Sequence, residues 1–146
     1  EVINCTPIWH DYILSAIVKK RTKIDLTSFE NCRLKIKNDL NLFIDQFNYK
    51  RVAIWGAGHQ SLAVISLAEI GGKIKYVVDS ASFKQGKYTP ATHLPIVAAS
   101  FLKSDPVEAV IIMAASYSDE VAKILRENYS NNLKIAILRD YGLEKL

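Results

Sequence analysis

The chain has 146 residues, 49% of them apolar and 23% charged, with a formal net charge of +4. That is the size of one ordinary domain with enough chain to bury its own core, and it excludes a self-contained multidomain enzyme. No stretch approaches the ~20 consecutive apolar residues of a membrane span, and the mild basic excess, concentrated in Lys19-Lys20-Arg21-Thr22-Lys23, lacks the interleaved aromatics or module of a nucleic-acid binder.

In chain order, Thr6-Pro7 offers a capping hydroxyl followed by proline at a first helical position. Trp9, Tyr12, Ile13, Ala16 and Ile17 then keep an i, i+3, i+4 spacing that predicts a first helix. A second helix is predicted from Thr27, spaced from Glu30 as in a capping box. Its apolar stripe runs through Phe29, Cys32, Ile36, Leu40, Phe43 and Phe47. The two helices, residues 1–49, are expected to pack as a helical segment on the rest of the chain. Cys32 on this stripe reads as core. Cys5 and Cys32 form no metal or redox motif, and His10, His59 and His93 lack zinc-binding spacing. No metal is expected, and two unpaired thiols suit a reducing, cytoplasmic setting.

From Lys50 the texture changes. Residues 51–55 form an apolar run that ends in Gly56-Ala57-Gly58, and residues 62–70 read as a helix stopped by Gly71-Gly72. Residues 74–79 are a second strand, and a short one is expected at 94–97 within an irregular stretch holding Pro90 and Pro95. Residues 108–113 are a further strand, a helix starts at Ser118, and residues 134–138 close as a strand. Near-continuous apolar strands alternating with helices predict an α/β fold over residues 50–146, a Rossmann-like three-layer sandwich with a mostly parallel sheet.

In such a sheet ligands bind beyond the carboxyl ends of the strands, where the strand order reverses. Three segments are expected to converge there. Gly56, Gly58, His59, Gln60 and Ser61 form a turn opening a helix, whose free N–H groups suit a phosphate. Asp79 follows Gly56 at close to the ~20-residue spacing of an acid that binds a ribose hydroxyl. Ser116 and Tyr117 precede another helix. The same residues also suit a ligand-free turn, with Asp79 and Ser118 as caps, and Ser61 stands where a dinucleotide fingerprint has its third glycine. No nucleophile, paired carboxylate or activated cysteine can be read from spacing, so no catalytic residue is assigned.

The run from Lys84 to Ile96, KQGKYTPATHLPI, resembles the signature of the C-terminal domain of S-adenosylmethionine-dependent sugar C-methyltransferases. The resemblance extends over about residues 50–125 through the Gly56-Ala57 turn, Asp79, Tyr117 and Glu120. The chain departs from the family pattern at Gln60-Ser61, Ser66, Ala91, Ala115-Ser116 and the ending Leu138-Arg139-Asp140-Tyr141-Gly142, as a divergent member would. The resemblance implies a substrate-binding domain for a nucleotide-diphosphate sugar of deoxysugar biosynthesis. Zinc-binding and methyl-donor domains would precede it in a parent chain, and Glu1 in place of Met suits such a piece. S-adenosylmethionine is then expected in a separate domain, with no cofactor in this chain. Lys84 and Lys87 would add charge to the diphosphate. Tyr88, Thr92 and His93 would contact sugar or base, and Asp79 a hydroxyl. Two other readings are a free-standing nucleotide- or NAD-sensing module that acts through homo-oligomerisation, and a ligand-free interaction domain docking through its N-terminal helices.

Overall fold

The structure, a computed structural model, describes residues 2–20 and 23–146; Arg21 and Thr22 of the basic run, and Glu1, lie outside the described residues. The first predicted helix is instead an antiparallel hairpin of β1 (Val2–Ile8) and β2 (Ile13–Val18). Its ladder pairs Ile8 with Ile13 and Thr6 with Ser15. The β-branched residues that crowd this segment suit a pleated surface better than a helix. Trp9, His10 and Asp11 turn the chain at positive φ (47°, 55° and 65°). Trp9 and Tyr12, which a helix would stack one turn apart, meet across this turn at a ring separation of 6.4 Å. Apart from Ser15, every described residue of the hairpin is exposed.

The second predicted helix is α1 (Thr27–Ile44). Its start uses Asp25 and not a capping box: Thr27 donates both its N–H (2.9 Å) and its hydroxyl (2.6 Å) to Asp25 Oδ1. Glu30 pairs with Arg33 at 2.6 Å. The stripe is buried only at Leu40 and Phe43, beside which Ile44 is also buried. Cys32 is exposed, contrary to the expectation of a core thiol. With Phe29, Ile36, Val64 and Leu67 it lines a shallow apolar groove of about 100 Å³.

From Val52 onward the expected alternation is present. The strands are β3 (Val52–Trp55), β4 (Ile74–Val78), β5 (Ile96–Val97), β6 (Ala109–Ile112), β7 (Lys134–Arg139) and β8 (Gly142–Lys145). The helices are α2 (His59–Leu67), the single turn α3 (Phe101–Ser104) and α4 (Ser118–Asn128). They build one six-stranded sheet in the order β5-β4-β3-β6-β7-β8. It is parallel through β7, with β8 antiparallel to β7. Neither β8 nor α3 is anticipated by the sequence pattern. The guanidinium of Arg139 holds the last hairpin, donating to Glu144 within it (2.7 Å) and to Asp119 at the start of α4 (2.5 Å).

Alternate residues of each strand face opposite layers. Val52, Ile54, Ile111 and Ala136 pack with Leu40 and Phe43 of α1 and Ile65 of α2. Ala53, Val110, Ile112 and Ile137 pack with Leu102 of α3 and Val121 and Leu125 of α4. Helices therefore cover both faces, which is why β3 and β6 are buried at every residue. Among the described residues no helix is long and apolar enough to cross a membrane. The chain runs outward from β3 to β4 and β5, then returns through α3 to β6 on the other side of β3. The strand order thus reverses between β3 and β6, and their carboxyl ends stand side by side.

Candidate functional site at the strand-order reversal

Beyond β3 the chain must turn sharply, and Gly56 does this at φ +119°. Its N–H donates to the Val78 carbonyl at 2.8 Å, and Met113 N–H donates to the Trp55 carbonyl at 2.8 Å, so the ends of β3, β4 and β6 are tied at one point. A Cβ at Gly56 would lie 2.4 Å from the Met113 carbonyl oxygen, which only glycine avoids. Gly58 differs: a Cβ there meets nothing within 4 Å, so packing does not require it. It caps α2 with bare backbone directed at open space. The first-turn N–H groups of α2 have no acceptor within the helix and carry its partial positive charge.

Asp79 ends β4 beneath this turn, 8% exposed. Its Oδ2 accepts from Ala57 N–H (2.7 Å) and Lys84 Nζ (3.1 Å), and its Oδ1 from Ala81 N–H (2.9 Å). Lys84 also donates to the Ala57 carbonyl (3.1 Å), and Gln85 Nε2 to the Asp79 carbonyl (2.9 Å). Burial by itself would raise the carboxyl's pKa. The N–H groups of Ala81 and Ala57, and then Lys84, outweigh it and hold the group below its ordinary value of 3.8. An ionised carboxylate therefore locks the glycine turn to the loop that follows β4.

These segments border a cleft of about 540 Å³. Of the sequence-predicted residues, Gly56, Gly58, His59, Gln60, Asp79, Lys84 and Tyr117 line it, the last exposed at the rim. Ser61 does not: its side chain is fully buried and its hydroxyl has no protein partner. It takes the place where a third glycine permits close helix–sheet packing. Ser118 is equally buried and unpartnered at the start of α4. Ser116 lies exposed on the 3-10 turn Ala115–Tyr117, outside the cleft lining.

The run that carries the family resemblance divides. Lys84 reaches the cleft, whereas Lys87 and Tyr88 line a separate depression of about 310 Å³ with Ile96 and Phe101. Thr92 bonds Thr89 hydroxyl to hydroxyl (2.8 Å) and packs beside Gly71, beyond the far end of α2. His93 is exposed, with Nδ1 3.3 Å from the Ala91 carbonyl and φ of 51°. The buried Thr89 organises this turn, accepting Leu94 N–H on its hydroxyl at 2.9 Å and donating its own N–H to Leu94 at 2.8 Å. Much of the signature thus shapes its own loop. Trp55, Met113 and Val121 supply an apolar wall that motif reading missed. Trp55 and Met113 stand at strand ends on either side of the reversal, and that position was the available signal.

A family model described as "C-methyltransferase C-terminal domain" matches residues 18–137. No curated protein matches the chain significantly. Among solved structures the chain is similar to UDP-D-quinovosamine 4-dehydrogenase from Vibrio fischeri, with a TM-score of 0.51 and 15% identity over 67% of this chain and 93% of that one, a likeness of fold. With the family match running through α1 and the first four strands of the six-stranded sheet and into β7, the chain belongs to the C-methyltransferase C-terminal domain family.

Proposed function

We propose that this chain is the substrate-holding part of a sugar C-methyltransferase, which binds a nucleotide-diphosphate sugar while a methyl-donor domain elsewhere in the parent protein carries out the transfer. The observation that carries this reading is the cleft between the ends of β3 and β6. It combines an open glycine turn at the N-terminus of α2 with a lysine ammonium beside it, a pairing suited to a diphosphate. His59, Gln60 and Tyr117 line the same space and would meet the nucleoside or sugar.

In this reading S-adenosylmethionine binds a separate domain of the parent protein, and no methyl-transfer step is assigned to residues of this chain. A second reading, an NAD-binding regulatory module, is favoured by the strand order, which counted from β3 is the 3-2-1-4-5-6 of dinucleotide-binding sheets.

A thermal-shift series with UDP-, dTDP-, CDP- and GDP-hexoses, NAD+ and S-adenosylmethionine separates these readings. At a hundredfold excess over Kd, a true ligand stabilises by about 2.7 kcal/mol, roughly 5–10 °C for a domain of this size. Stabilisation by at least one nucleotide sugar, with none by S-adenosylmethionine, is expected. A flat response to every nucleotide sugar would refute the reading.

A further inference from the structure

The N-terminal hairpin has no use within the fold of this chain. β1 (VINCTPI) and β2 (ILSAIV) contain no charged residue, yet apart from Ser15 all of their residues are exposed. Neither core layer takes in a residue of the hairpin. An antiparallel ribbon with one face in water alternates apolar with polar residues. Here both faces are apolar. Paired residues share a face, and Ile8, Ile13 and Ile17 mark one while Pro7, Leu14 and Ala16 mark the other. A lone two-stranded hairpin is at best marginally stable in water and needs a third strand or a packed layer. The family match begins at residue 18, the last residue of β2, so the hairpin stands ahead of the family domain and not within it. Its two open edges also differ. Pro7 has no N–H, and prolines in sheets keep to edge strands, which makes β1 an outer strand. β2 contains no proline and offers its free edge for pairing.

We propose that the hairpin belongs to the methyl-donor domain of the parent protein, with the free edge of β2 paired to an edge strand of that domain's sheet and β1 as the outermost strand. The inference rests on the reading of this chain as the substrate-holding part of a C-methyltransferase. Two apolar faces need cover on both sides, so the donor domain must carry layers on both faces of its sheet. A second copy of this chain does not meet that need. Pairing β2 with its counterpart gives four strands whose two faces stay bare. Residues 19–26 join the hairpin to α1, and eight residues span at most about 29 Å. A donor domain that incorporates the hairpin is therefore held within that reach of α1, which packs on the sheet that forms the cleft.

The test compares this chain with the parent protein, expressed from its complete coding sequence, by amide hydrogen exchange and thermal unfolding. Amides of residues 13–18 should exchange about a hundredfold or more slowly in the parent than in this chain. Leu14→Asp and Ile17→Asp place a charge on opposite faces of β2, at side chains that are 70% and 56% exposed here. Each should move the Tm of this chain by no more than about 2 °C. In the parent each should lower the transition that S-adenosylmethionine stabilises by about 5 °C or more, because the charge is then buried. Equal exchange in the two proteins, or variants without effect in a parent that binds S-adenosylmethionine, would overturn the proposal and leave the substrate-holding reading standing. Protection that appears in this chain alone as its concentration is raised would overturn it in favour of a paired second copy. A parent with no S-adenosylmethionine site ahead of residue 2 would remove the reading and the proposal together.

Discussion

Removing the Asp79 carboxylate tests the frame of the cleft. In Asp79→Ala the N–H groups of Ala57 and Ala81 lose their acceptor, and Ala57 is buried. Hydrogen bonds to a charged group are worth about 1.5–3 kcal/mol each. The Lys84 leg adds little, because that side chain is about one-third exposed and its ion pair is screened. The expected loss is about 3–5 kcal/mol, near the cost of breaking a buried pair. Asp79→Asn keeps one carbonyl acceptor and should lose about 1–3 kcal/mol. Urea unfolding across pH gives a sharper criterion. The carboxyl's pKa is lower in the folded chain than its ordinary 3.8, so its stabilisation is complete above that value and is lost as pH falls through the lower folded one. The gap between the unaltered protein and Asp79→Asn should be constant from about pH 5 to 8 and narrow below about pH 4. Glu30, Glu69, Glu108 and Asp119 are also held low, but they are present in both proteins and drop out of the difference. A gap that persists unchanged to pH 2, or one below about 0.5 kcal/mol at pH 7, would refute the reasoning.

Gly56→Ala places a Cβ 2.4 Å from a backbone oxygen at φ +119°. The strain should cost about 3 kcal/mol or more and lower Tm by many degrees, while Gly58→Ala, with open space around it, should fold normally. Ser61→Ala removes a buried hydroxyl with no partner. Stability should rise or hold within about 1 kcal/mol, and sugar-nucleotide affinity should not change; a tenfold loss of affinity would make Ser61 a ligand contact. A chain starting at Ile24 lacks a hairpin that is exposed almost throughout. Its Tm should stay within about 5 °C of the full chain, and a larger drop would show that residues 1–23 belong to the cooperative unit.

Strands buried on both faces carry a plain signal, because a short run without polar residues ended by glycine or a turn has few other readings. Residues 52–55 and 109–112 were legible for that reason. The N-terminal hairpin was not, because residues four apart share a face in a helix and in a strand alike. Ile13 and Ile17 satisfy both periods, and only the density of β-branched residues favours the strand. β8 has no apolar run; it is held by backbone pairing and by Arg139 reaching Glu144, a contact no spacing announces. At the site, the turn from Gly56 to Gln60 and the position of Asp79 were readable from strand ends. Which way the irregular loop after β4 directs Lys84, Lys87, Tyr88, Thr92 and His93 was not, since that depends on the internal bonds of Thr89 and on Asp79 capturing Lys84. Spacing located the acid but did not show which groups occupy it.

The central claim is that a nucleotide-diphosphate sugar sits at the reversal between β3 and β6. Amide chemical-shift mapping on titration with the stabilising sugar nucleotide tests it most directly. The largest shifts are expected at Gly56, Gly58, His59, Gln60 and Lys84, with Tyr117 at the rim. Shifts centred instead on Lys87, Tyr88 and Phe101, or on Phe29, Cys32 and Leu67 of the apolar groove, would contradict it.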